Sequence, residues 1–218
     1  MIEFPFTKKN GSTEEKPSEQ QDAKKCDDVM EDHEKCKLRA ALLRHIIERY
    51  REQIEMGETK TVSGLRNLVN PKDSTILKTK ESITDEFRPY IYAKNFEEAA
   101  KKAFEFVRDD MGNDVLPVDF WLSPSEMLEL KVADEMDKAI FLCSLIIALD
   151  NETARIIVET NGHRHAFVVF DFEGKFHLMD PAHNVNASGQ KDEVLTEHMK
   201  NRDSKPTYEF NNKGYNEL

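Results

Sequence analysis

Four side chains frame the chemistry available to this chain: His165, Asp180, Glu135 and Cys143. His165 lies in the β-rich run "RHAFVVFDF" and Asp180 ends a second run, "KFHLMD". Between them Glu173-Gly174 supplies a tight-turn signal. If Phe172 pairs with Lys175, Phe167 faces Asp180 and His165 faces Ala182. Side chains alternate between the two faces of a strand, so His165 and Asp180 become diagonal neighbours on one face. A carboxylate beside an imidazole fixes its tautomer and stabilises the imidazolium, which is the orienting half of a catalytic triad. A slip of one residue in the pairing would separate them.

Such a pair calls for a nucleophile, and a helix N-terminus is a favourable place for one, because the dipole and free N–H groups lower a thiol pKa. The helix expected before these strands is "VADEMDKAIFLCSLIIALD", residues 132–150. Its start carries Glu135, next to a capping Asp134. Its cysteine, Cys143, stands eight residues further on, roughly 12 Å along the axis at 1.5 Å per residue. Flanked by Phe141, Leu142, Leu145 and Ile146, that thiol reads as a small core hydrophobe. A carboxylate attacking an amide would form a mixed anhydride of high energy, so Glu135 suits the role of base or ion-pair partner rather than acyl acceptor. A metal is a third reading. His163 and His165, with Asp180 and Glu135, make an acceptable set for zinc or non-haem iron, and His177 and His183 are comparable candidates. No metal or other cofactor is expected as resident.

The ordered run "FWLSPSEMLELKVADEMDKAIFLCSLIIAL", "ARIIV", "GHRHAFVVF" and "GKFHLMDP" resembles the transglutaminase-like superfamily, relatives of papain-type cysteine proteases. Members show an apolar–Pro–x–Glu–Thr–Leu lead-in and then Gly-Asp-Cys-x-Asp-Lys-Ala opening an apolar helix. A His-Ala-Phe-Val strand and an apolar Asp-Pro strand follow. The resemblance covers about residues 95–182. It implies that His165 is the catalytic histidine and Asp180 its orienting acid, with Asp134 and Asp137 flanking the nucleophile position and Ala139 following it. That position falls on Glu135, and the glycine before the family's Asp-Cys pair falls on Ala133. Trp121 and Asp137 become the expected substrate-binding residues, Trp121 also serving as a wall of the cleft. The implied function is a transglutaminase-like domain that has lost thiol acyl transfer and binds a protein or peptide. The alternative is an active hydrolase or acyltransferase using His165 and Asp180 with Cys143 or Glu135, or a metal-dependent variant.

The elements that must position these residues read as helices first and antiparallel strands after: an α+β class. The implied core is transglutaminase-like, with N-terminal helices and a central helix packed on an antiparallel sheet. Residues 1–30 are polar and read as a disordered or loosely helical tail. Residues 31–94 form a helical region, whose first helix runs from Glu31 to Met56 on Leu38, Leu42, Ile46 and Tyr50, with Gly57 as its C-cap. A short helix in "TVSGLRNLVN" ends before Pro71. Residues 95–218 hold the core and a polar C-terminal extension. Their first helix begins at Asn95 and ends at Gly112. Ser123 or Ser125 caps a short one. After Pro181 only Tyr208–Phe210 gives a strand signal, and it is weak.

The chain has 218 residues, 39% of them hydrophobic, including 13 Phe, which suffices for a real core. Its 42 acidic against 31 basic residues leave a formal charge of −11. That excess argues against a nucleic-acid backbone or an anionic membrane as partner, since both select for Lys and Arg. Three cysteines, Cys26, Cys36 and Cys143, show no metal-binding spacing and suggest free thiols in a reducing compartment. The N-terminus lacks a charged-then-apolar signal, so a cytoplasmic location is expected. Oligomeric state is left open.

Overall fold

The computed structural model describes residues 19–52, 62–113, 122–161, 163–199 and 206–218. Contacts divide the chain into two units, Met1–Arg51 and Glu52–Leu218. The first unit holds helix α1 (Glu19–Arg49), which begins well before the expected Glu31. Lys37 and Glu34 form an i,i+3 ion pair on its surface, and Leu38 is exposed. Gly57, the expected C-cap, lies outside the described residues, as does Trp121.

Among the described residues of the second unit, six α-helices and the strands alternate less simply than the sequence suggests. Helix α2 (Val62–Leu68) stops before Asn70-Pro71 as expected. Helix α3 (Ser74–Thr84) follows, its first turn capped by the Asp73 carboxylate, which accepts from the backbone of Thr75 and Ile76. Helix α4 (Tyr92–Asp110) begins three residues ahead of Asn95. Asn95 still serves the helix start, but backwards: its side-chain oxygen accepts from the Ile91 N–H at 2.9 Å. The α4 face made of Phe96, Ala99, Ala100, Ala103, Phe104 and Val107 is buried. Helix α5 (Pro124–Leu130) opens on Ser123, whose hydroxyl accepts from Glu126 N–H while Glu126 reaches back to Ser123 N–H. Helix α6 (Glu135–Ala148) has every residue from Met136 onward buried.

A two-residue parallel pair, β1 (Gly112–Asn113) with β2 (Val132–Ala133), ties the end of α4 to the lead-in of α6. The main sheet is built from β3 (Arg155–Asn161), β4 (His163–Phe172), β5 (Lys175–Asp180), β6 (Val185–Gly189), β7 (Pro206–Phe210) and β8 (Tyr215–Glu217). Its order is β6-β5-β4-β3-β7-β8, and every pairing is antiparallel. The short β6 and the three-residue β8 form its two rims. Helix α7 (Lys191–Met199) lies between β6 and β7 in sequence.

Alternation along the strands sorts the sheet into two faces. One face carries Ile157, Phe167, Val169, Phe176 and Leu178, covered by Val194 of α7. The other meets α4, where Phe96 packs edge-on against Phe170 at 5.4 Å between ring centroids and also touches Phe172. Helix α6 packs against β4 and α4, with Phe106 meeting Phe141. Buried on both faces, β4 reads as an almost continuous apolar run from Ala166 to Phe170. The class is α+β, as the order of helical and strand-like segments predicts.

Candidate functional site

The β4–β5 hairpin sets the site. Its turn uses Glu173 and Gly174 at φ of 50° and 74°, the left-handed values a two-residue hairpin turn requires. Phe172 pairs with Lys175, Val169 with Leu178 and Val168 with Met179, which is the register expected from the turn. His165 and Asp180 therefore share a face at the open end of the hairpin. His165 Nε2 lies 2.9 Å from Asp180 Oδ2. Asp180 is fully buried and His165 nearly so.

The carboxylate of Asp180 gathers more than one imidazole. His183, in the turn after β5, places Nδ1 3.1 Å from Asp180 Oδ2 and donates its backbone N–H to Oδ1 at 3.1 Å. His198, on α7, brings Nε2 to 3.6 Å from the same Oδ2 and stacks edge-on against Phe167. On the neighbouring strand, Glu159 pairs across from His165, and its Oε2 lies 3.7 Å from His165 Nδ1. Glu159 is fully buried too. Three imidazoles thus converge on one buried carboxylate, with a second buried acid beside them. Buried carboxylates persist only where hydrogen bonds or charges compensate them, and here imidazoles supply that.

Glu135 completes the cluster from the first turn of α6. Its Oε1 lies 3.8 Å from His183 Nε2. One ligand-capable atom from each of Glu135, His165 and His183 lies within 4.8 Å of the other two. The acid at the helix start therefore does sit beside the imidazoles. It is held there by a capping box: Asp134 accepts from the Asp137 N–H at 2.7 Å, and Asp137 reaches back toward the Asp134 N–H at 3.5 Å. Asp137 also accepts from the Leu122 N–H at 3.1 Å and is fully buried, so its oxygens serve backbone groups. One turn further, Lys138 is buried, and burial lowers its ammonium pKa against the pull of Asp109 and Asp180.

Cys143 is fully buried in the body of α6, and burial pushes its thiol far above the ordinary range. A thiol so placed is almost wholly protonated at neutral pH and out of reach of solvent. Cys36 is exposed on α1. The side chains of Cys26, His163 and Trp121 lie outside the described residues. His177, weighed with His183 as a possible ligand, points to the opposite face of the hairpin, stacked flat on Phe170 at 4.8 Å. The sequence reading passed over His198 and Glu159. A helix with one buried apolar residue gives no signal for the first, whereas strand pairing opposite His165 could have found the second.

No family model matches the sequence, and no curated protein matches it. Among solved structures the chain is similar to LapG of Legionella pneumophila, at 18% identity and a TM-score of 0.49, covering 73% of this chain and 88% of that one. Calcium-bound LapG matches at 17% identity and a TM-score of 0.44, over 64% of this chain and 87% of that chain. EGTA-treated LapG gives the same identity and score, over 64% and 85%. The likeness is one of overall arrangement at a low score. Among the described residues no helix is long and apolar enough to cross a membrane.

Proposed function

We propose that this chain is a transglutaminase-like domain without thiol acyl transfer, whose site binds an extended, positively charged peptide segment. One observation carries the reading. The His165–Asp180 pair is assembled at 2.9 Å, yet the helix start beside it presents Glu135, while the thiol of α6 is fully buried. Acyl transfer needs a nucleophile within hydrogen-bond reach of its base. Cys143 stands roughly 12 Å along the helix from the Glu135 position. A carboxylate in its stead retains charge and hydrogen-bonding capacity but would form an anhydride. Binding is what such a site can still do.

The nature of the ligand follows from charge and shape. A groove of about 580 Å³ lies between β6 and α7, lined by Val185, Ala187 and Val194 together with Glu193, Glu197 and His198. His198 places it beside the imidazole cluster. Small apolar side chains fit its floor, and two glutamates at its wall favour a lysine or arginine. The formal charge of −11 adds long-range attraction for such a segment, screened by salt.

A random peptide library screened by fluorescence anisotropy should select basic, extended sequences, and their affinity should fall as salt rises. Glu193→Lys combined with Glu197→Lys should weaken binding at least roughly tenfold, since each change replaces attraction by repulsion. A thiol-directed acylating probe should leave Cys143 untouched in the folded protein. Amide turnover abolished by His165→Ala would overturn the proposal, as would a library that selects acidic peptides.

A further inference from the structure

The geometry points to a divalent transition-metal site formed by Glu135, His165 and His183, with Asp180 as the supporting carboxylate behind His183. The inference concerns the imidazole cluster beside that groove, stands on ligand geometry alone and does not depend on peptide binding. A carboxylate at the start of α6 is then a ligand, not a failed nucleophile.

Three observations converge. First, one donor atom from each of the three side chains lies within 4.8 Å of the others, and the Glu135 Oε1–His183 Nε2 separation is 3.8 Å. A tetrahedral zinc with bonds of 2.0–2.1 Å has ligand-to-ligand edges of roughly 3.3–3.4 Å. Closure of that pair therefore asks for a shift of a few tenths of an ångström, within the reach of side-chain rotation. Second, His183 is oriented in the manner of a metal-bound imidazole: Nδ1 is held by Asp180 at 3.1 Å while Nε2 faces Glu135. Asp180 also touches His165, through Nε2 at 2.9 Å, and Glu159 lies 3.7 Å from its Nδ1, so His165 joins an ion by exchanging one of these carboxylates for it. A buried carboxylate that fixes the His183 ring in this way raises its basicity as a ligand and aims its Nε2. Third, the site has an entry side. The side chains of Glu135 and His183 are 28% and 44% exposed, against 0% for Asp180. Solvent access gives an ion a path in and leaves a coordination position open.

A second grouping, His165, Asp180 and His198, also brings donor atoms within 4.8 Å. Its carboxylate is fully buried and already accepts the His183 backbone N–H. Direct ligation by Asp180 would take it from the bond that orients His183, so the outer set is favoured. Two nitrogens and one oxygen select a borderline ion such as zinc, ferrous iron or cobalt(II). Calcium and magnesium favour all-oxygen shells. The three donors come from the start of α6, from β4 and from the turn after β5, so an ion would clamp helix to hairpin.

The test uses the full chain, purified without an affinity tag, stripped with chelator and titrated with cobalt(II) and zinc(II). Calorimetry should give one site per chain, and cobalt should produce the visible d–d bands of a low-coordinate nitrogen–oxygen site. Loss of an outer-shell partner alone costs roughly 10–100-fold in affinity, so Glu135→Gln and His183→Ala, both at partly exposed positions, should each cost at least that. His198→Ala should leave affinity unchanged. In the cobalt-loaded wild-type protein two histidines, and not three, should show the large contact shifts of directly ligated imidazole rings, a readout that needs no variant. Absence of saturable binding would overturn the inference. So would binding that survives both Glu135→Gln and His183→Ala, binding lost in His198→Ala, or a third histidine with ligand-type contact shifts. Peptide affinity measured on the stripped protein tests the other proposal separately.

Discussion

The two ends of the β4–β5 hairpin hold histidines in opposite circumstances. At the open end, His165 lies between Asp180 at 2.9 Å and Glu159 at 3.7 Å, in company with His183 and His198. Nearer the turn, His177 lies flat on Phe170, nearly fully buried, and its Nε2 has no hydrogen-bond partner among the described residues. Burial holds the His177 pKa below its ordinary value, against a weaker upward pull from Glu97. The difference comes from strand parity and not from residue type. In this register Asp180 shares a face with His165, whereas His177 shares one with Phe170. One imidazole is placed among carboxylates, the other in an aromatic core. The lesson is that a histidine on an apolar strand is read by the parity of its neighbours.

The largest effect should come from breaking the open end. Asp180→Ala removes the acceptor on which three imidazoles converge, and removing one partner of a buried charged network costs roughly 3–5 kcal/mol. Urea unfolding measures it, and a loss below 1 kcal/mol would mean that the imidazoles do not depend on Asp180. Gly174→Ala attacks the turn that fixes the register joining the two ends. No atom lies within 4 Å of the added methyl, so the cost is the left-handed backbone itself, roughly 1–2 kcal/mol. The smallest effect is confined to acid. Well above pH 6.5 the His177 ring is neutral in both folded and unfolded chains and contributes no pH dependence. Below it the unfolded chain binds the proton first, so stability falls with pH until the folded ring is protonated as well. His177→Phe, which keeps the stacking, should flatten that part of the stability profile. An unaltered slope would show that the turn-end ring does not differ from an exposed one.

Legibility in the sequence tracked the strength of local signals. The hairpin was readable because Glu173-Gly174 separates two β-rich runs, and one pairing at the turn dictates every other. Helix α6 was readable from its apolar length and the Asp134 cap. The bounds of α4 slipped because Asn95 satisfies an N–H behind it, a role that spacing does not distinguish from an ordinary cap. Helix α3 escaped because only Ile76, Thr79 and Ile83 are buried along its length. Strand β6 and helix α7 escaped for the same reason: "VNASG" has little β propensity, and only Val194 is buried on α7. The cost was His198, whose place in the cluster depends on an element that tertiary contact, not local pattern, stabilises. His183 carried a fair signal, being three residues beyond Asp180, yet only coordinates tell its face from that of His177.

The rims of the sheet carry a consequence for how the protein behaves when concentrated. A neighbouring chain seeking to extend the sheet meets five residues at β6, ending in Gly189, or three at β8, ending in Glu217. Neither offers a long apolar template, and short polar borders are how natural β proteins discourage fibre growth. Crowded solutions of this chain should therefore scatter little light through strand-by-strand addition at either of these two rims.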